Sequence, residues 1–92
     1  VIVSYADADT EKVAFGIRVK RFEGIARAAQ KKLAILRAAT TLNDLATPPG
    51  NRLEPLAGNR KGQHSIRINN QYRICFTWEE GGAHEVEITN YH

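Results

Sequence analysis

The residues best suited to chemistry stand late in the chain. Arg67 and Arg73 each interrupt an apolar run in SIRINNQYRICF (residues 65–76), and Tyr91 and His92 follow at 91 and 92. A lone Arg in an alternating strand is ordinarily a solvent-facing charge. Two that face each other across strands are different, because like charges directly opposite cost about a few tenths of a kcal/mol on an exposed sheet. Folding gains nothing from such a pair, whereas an anion bound between them would relieve it. The competing reading is partial neutralisation by Glu85 and Glu87, which alternation places on the same face. The three histidines and one cysteine lack metal-ligand spacing.

Whether the arginines meet depends on register. A two-residue loop at Asn69-Asn70 sets Arg67 against Tyr72, so that apolar and polar sides adjoin, which a sheet with one buried face does not accept. A three-residue loop, Asn69 to Gln71, pairs Ile68 with Tyr72, Ile66 with Ile74 and Arg67 with Arg73. Asn tolerates the left-handed backbone expected in such a loop. In the next hairpin the same rule predicts Phe76 opposite Val86 and Ile74 opposite Ile88. Arg73 then lies beside Thr89, with Tyr91 one diagonal step away and His92 just beyond. The expectation is that Arg67, Arg73 and Tyr91 converge on the sheet face away from the helices.

The elements that must position these residues follow from periodicity. Ile2 to Tyr5 reads as a short first strand. Asp7 or Asp9 caps a helix carrying Val13, Ala14 and Ile17, weakened near its end by Gly16. A helix is predicted from about Phe22 to Ala39, with Ile25, Ala29, Leu33 and Leu36 on one face. Arg27, Gln30, Lys31 and Arg37 occupy much of its remainder and read as a solvated face. Thr41 to Leu45 makes a further turn before Pro48-Pro49-Gly50 stops helical structure. From about Lys61 the period becomes two. His64, Ile66 and Ile68 share one parity, then Tyr72, Ile74, Phe76 and Trp78, then Val86 and Ile88. His64 is accordingly expected to be a packed histidine, and His84 a loop residue. The predicted architecture is α+β: a short N-terminal strand, two helices, then a three-stranded antiparallel meander, with the helices on one sheet face.

Composition is compatible with that plan. Ninety-two residues suit a single domain spanning 1–92, with 42% hydrophobic and 25% charged residues. The formal charge of +3 favours a polyanionic partner without identifying one. The single cysteine, Cys75, points to a reduced, cytoplasmic setting and reads as a small packing residue. No apolar run reaches the roughly 18 residues a membrane span needs, and the early Asp7, Asp9 and Glu11 argue against a secretory signal.

Against these readings the chain resembles the HigB toxins of bacterial toxin–antitoxin modules, in the RelE/ParE superfamily. The resemblance is carried by DTEKV (9–13), KKLAILRAA (31–39), PPGNRLEPLAGNRKGQHSIRINNQYRICF (48–76) and EVEITNYH (85–92), and extends over essentially the whole chain. The long third segment and the terminal Tyr-His are its specific parts. The resemblance implies a RelE-like fold and an mRNA interferase, a ribonuclease that cuts messenger RNA on the ribosome. It implies as partners the ribosome and mRNA and a HigA-like helix-turn-helix antitoxin. Operator DNA would be reached only through the antitoxin, and no membrane is involved. It implies no cofactor and no metal.

Metal-free RNA cleavage uses the 2′-hydroxyl as nucleophile on the adjacent phosphate. The site must therefore help remove that proton, stabilise charge on phosphorus and protonate the leaving 5′-oxygen. Through the resemblance, Arg73 matches the arginine of the family's aromatic-Arg-Ile-x-Phe strand, and Arg67 serves as a phosphate clamp. Tyr91 and His92 match the family's terminal Asp-Tyr-His. His92 is suited to acid–base work, and Tyr91 to stacking on a base or orienting the 2′-hydroxyl. Arg60 and Lys61 of GNRKG and Asn90 are the implied RNA contacts. Three departures stand out: Asn90 in place of the usual Asp, Ala57 in place of a common Lys, and Glu54 where some relatives carry His. They imply a toxin of reduced potency. The competing functions are a gyrase inhibitor like the ParE branch and a decayed toxin acting only with its antitoxin in repression.

Overall fold

The computed structural model describes residues 1–90; Tyr91 and His92, and the roles assigned to them, lie outside the described residues. Helix α1 (Ala8–Ala14) starts at Asp7, whose Oδ1 accepts from the Thr10 amide at 2.6 Å. It stops at Gly16, which adopts φ 77. The Gly16 amide donates to the Val13 carbonyl at 3.1 Å and the Ile17 amide to that of Lys12 at 2.8 Å, so carbonyls of the last turn are capped. Gly16 thus terminates the helix rather than merely weakening it.

The long helix is shorter than its periodicity predicts. Helix α2 runs Ala26–Ala38, and the preceding residues form a 3-10 turn, Lys20–Phe22, followed by a bend at Gly24. Phe22 is buried, its ring edge-on to Tyr72 with centroids 6.0 Å apart. Its place in the core comes from that tertiary contact, not from the helix. A single turn, α3 (Asn43–Ala46), and a 3-10 turn at Pro49–Asn51 lead to the sheet.

The sheet has four antiparallel strands in sequence order: β1 (Glu54–Pro55), β2 (His64–Arg67), β3 (Tyr72–Glu79) and β4 (Gly82–Asn90). Strand β1 is an addition to the expected meander, pairing Glu54 with Ser65 and Pro55 with His64. The N-terminal segment is reduced to two bridges, Ile2 with Ala83 and Tyr5 with Val86, parallel to β4. The β3–β4 turn is made by Glu80 (φ 50) and Gly81 (φ 77), the paired positive angles that suit strand twist in a two-residue turn.

One sheet face carries the core. Ile66, Ile74, Phe76, Val86 and Ile88 pack with Val13, Phe22, Ala29, Leu33 and Leu36 of the helical layer. Thr10 ties the layers together, its buried Oγ1 accepting from the Ile88 amide at 3.0 Å. His64 is half-buried on this face, its ring stacked on Phe76 at 6.4 Å. His84 is not in a loop but in β4, paired with Thr77.

Candidate active site

The face away from the helices is built in rows. One row is Ser65–Cys75–Glu87 and the next is Arg67–Arg73–Thr89, each residue directly opposite its neighbour. Arg67 therefore faces Arg73, and Arg73 faces Thr89, in the register expected from strand parity. The loop that sets this register works differently from the expectation. None of Asn69, Asn70 or Gln71 has a positive φ. Instead the Asn69 side chain closes the turn, its Oδ1 accepting from the amides of Gln71 (2.8 Å) and Tyr72 (2.7 Å).

The second hairpin departs from uniform pairing between Cys75 and Thr77. Glu85 takes φ 54 and forms the extra residue of a bulge, so Phe76 is opposed by Glu85 and Val86 together. Ile74 still meets Ile88, since the bulge falls beyond that pair.

Arg73 is held on several sides. Its Nε donates to Ser65 Oγ at 2.7 Å, and its Nη2 to the Arg52 carbonyl at 2.7 Å and the Ser65 carbonyl at 3.4 Å. The Arg52 carbonyl is turned toward it by a left-handed backbone at φ 45. Only 11% of the Arg73 side chain is exposed, and Ser65 beneath it is fully buried. Among the described residues Arg73 lies 3.6 Å from the half-exposed Glu54 carboxylate, whereas Glu87 pairs elsewhere. Glu87 is taken by Arg60 at 3.2 Å, and Arg60 also donates to Gln63 Oε1 at 3.0 Å. Arg60 thus reaches from the loop before β2 to β4, above the buried Ser65 and Cys75. Cys75 is a packing residue on this face rather than part of the main core.

Arg67 is bound to its own hairpin, Nε donating to the Asn69 carbonyl at 3.1 Å and Nη2 to Asn70 Oδ1. Its orientation is therefore fixed by the loop that fixes the register. Thr89 Oγ1, beside Arg73, is buried and has no hydrogen-bond partner among the described residues. A hydroxyl in that state is a ready donor to an anion.

The other named residues are spread more widely. Lys61 is exposed at the end of the Gly58–Arg60 turn. Asn90 pairs with Tyr72, so strand alternation puts it on the helix-side face, away from the arginine row. Sequence reasoning missed two contributors, Ser65 and the Arg52 carbonyl. Ser65 sits at the alternation parity of Arg67 and was legible in principle; the Arg52 carbonyl depends on a left-handed turn that Arg rarely adopts. Among the described residues no cluster of three or more His, Cys, Asp or Glu is suited to a metal ion, and no helix is long and apolar enough to cross a membrane.

Helices on one face of a four-stranded antiparallel sheet are an α+β fold that this chain shares with solved structures. YafQ from Escherichia coli strain BL21(DE3) superposes with a TM-score of 0.67 at 13% identity, over 99% of this chain and 94% of that one. A chain of the YoeB–YefM complex from Staphylococcus aureus gives 0.58 at 20% identity, over 100% and 98%. The chain belongs to the HigB-like family, the RelE-like toxins HigB of type II toxin–antitoxin systems, whose model matches residues 5–92. It is 54% identical over 59 residues to Toxin HigB-1 of Vibrio cholerae, covering 64% of this chain and 62% of that protein. It is also 41% identical over 58 residues to an uncharacterized Haemophilus influenzae protein, covering 63% and 57%. The matched stretch thus spans less than two thirds of either relative.

Proposed function

We propose that this toxin is a metal-independent mRNA interferase that cuts translated messenger RNA on the ribosome, in the cytoplasm, and is neutralised by a HigA-like antitoxin. The observation that carries the reading is Arg67 directly opposite Arg73 on the sheet face free of helices, in a member of this toxin family. In the proposed reaction the 2′-hydroxyl attacks the adjacent phosphorus and the bond to the 5′-oxygen breaks. The products carry a 2′,3′-cyclic phosphate and a 5′-hydroxyl. Arg73 stabilises the charge that builds on the non-bridging oxygens, Arg67 clamps the phosphate from the facing strand, and Thr89 Oγ1 adds a neutral donor. Tyr91 orients the 2′-hydroxyl, whose proton passes to solvent as the oxygen attacks, and His92 donates a proton to the leaving 5′-oxygen. Lys61, and Asn90 at the exposed end of β4, are outlying RNA contacts. Arg60, held by Glu87, supports the turn that leads into Lys61.

A second reading is an attenuated toxin that acts mainly with its antitoxin in repression. It is favoured by the engagement of Arg73 with Glu54 and the Arg52 carbonyl, together with Asn90 and Ala57. Inducing the chain in cells and mapping new mRNA 5′ ends separates the readings. Cuts clustered within translated codons support the interferase. DNA damage without cuts supports gyrase poisoning, and neither signal with antitoxin binding intact supports the attenuated form. Asn90→Asp with Ala57→Lys is expected to deepen growth arrest, and unchanged arrest counts against any role for those two positions in potency.

A further inference from the structure

Lys32 shares α2 with charges that read as a solvated face, yet it is turned inward. Its Nζ donates to Asn51 Oδ1 at 2.7 Å. Asn51 is fully buried and is anchored in turn by donating from Nδ2 to the Leu45 carbonyl at 3.1 Å. The Pro49–Asn51 turn that carries this anchor packs against β2, the strand of Arg67. Strand β1 covers β2 only at His64 and Ser65, so the edge at Ile66 and Arg67 is not paired by a strand.

The charges at this edge are unbalanced. Burial, then the charges of Lys31 and Arg67, hold the Lys32 amine below the ordinary lysine range. Among the described residues no carboxylate lies within ion-pair distance of either Lys32 or Arg67. A lysine needed only to brace a turn would be better served with a carboxylate nearby. Two cations held by separate anchors, one on the turn that packs against β2 and one at the end of β2 itself, favour an anion between them.

We propose that Lys32 and Arg67 together bind a second backbone phosphate of the RNA, next to the one at Arg73, leading the strand round the edge of β2 toward α2. This rests on the ribonuclease reading of the site. The ammonium has three donors and Asn51 uses one, so phosphate binding does not require release of the brace. Arg67 then stands between two phosphates, one on the Arg73 side and one on the Lys32 side.

The test is binding of the purified chain to a short single-stranded RNA made uncleavable by 2′-O-methylation, titrated across salt. Removing one phosphate contact lowers the slope of log affinity against log salt by about 0.7. Between roughly 50 and 200 mM salt, Lys32→Gln should therefore lose about 2.6-fold less affinity than the wild type does. Lys32→Arg should restore the wild-type slope. A brace without a phosphate contact predicts instead a lower melting temperature for Lys32→Gln with an unchanged slope, and that result overturns the assignment. Cleavage of ribosome-bound mRNA by the wild type is measured alongside. Cleavage with a Lys32-independent slope removes Lys32 alone, whereas a wild-type chain that neither binds nor cleaves RNA removes the ribonuclease reading with it.

Discussion

Arg73 is expected to hold the fold as well as the phosphate, and the two roles are separable. Arg73→Ala deletes the bonds to Ser65 Oγ and the Arg52 carbonyl, both at 2.7 Å. A hydrogen bond to a charged group contributes about 1.5–3 kcal/mol net. The contact to Glu54 adds little, since that carboxylate is half exposed. Against these, the variant relieves the Arg67–Arg73 repulsion, which is worth about a few tenths of a kcal/mol. The two bonds together are worth about 3–6 kcal/mol, and relief of the repulsion and of the cost of burying a guanidinium offsets part of that, so the net loss is about 2–3 kcal/mol. A chain of this length holds about 5–14 kcal/mol in total, so the variant stays folded but is measurably weaker. Urea unfolding followed by Trp78 fluorescence is the assay, and at a slope of about 1 kcal/mol per molar the midpoint falls by about 2–3 M. A cycle with Ser65→Ala should show about 1 kcal/mol of coupling. A loss below about 0.5 kcal/mol with no coupling would refute the account of Arg73 as a built-in strut.

Three further predictions concern the frame. Thr10→Val keeps the shape but strands the buried Ile88 amide, and should cost about 2 kcal/mol in urea unfolding, while Thr10→Ser should cost clearly less. Gly16→Ala meets nothing within 4 Å, so its loss of about 1 kcal/mol isolates the strain of the left-handed position; no loss would disprove it. The Asp44 carboxyl is held below its usual 3.8, first by the Thr40 amide, then by that of Thr41. Because its folded value is depressed, its contribution is present above about pH 3.8 and fades as pH falls through the lower folded value. Asp44→Asn should flatten that acid limb in unfolding scans from neutral to acid pH, and an unaltered limb would dismiss the assignment.

The sequence made the arginine pair legible because strand parity has only two answers, and one of them buries Arg beside Ile. Ile66, Ile74 and Ile88 were enough to choose between them. The mechanism of the loop was less legible: an Asn suits both a left-handed turn and a side-chain cap, and Asn69 takes the second. The bulge at Glu85 was hidden because Glu carries no signal for positive φ. Phe22 looked like the first turn of α2 because its spacing to Ile25 and Ala29 fits a helix, although it is buried by Tyr72 from a bend. Strand β1 was masked by Pro55, which an edge strand tolerates. The inward turn of Lys32 left no trace in the sequence, since its partner Asn51 lies beyond two prolines on a separate element.

The central claim is that facing arginines organise a phosphate for attack by the neighbouring 2′-hydroxyl. The most direct measurement is the end chemistry of mRNA cut by the purified chain on programmed ribosomes, in the presence of a metal chelator. The account predicts 2′,3′-cyclic phosphate and 5′-hydroxyl ends, with cutting abolished by a single 2′-deoxy substitution at the cut site and by Arg73→Ala under conditions where that variant is folded. Cutting that survives the 2′-deoxy substitution, or that persists in folded Arg73→Ala, would contradict it.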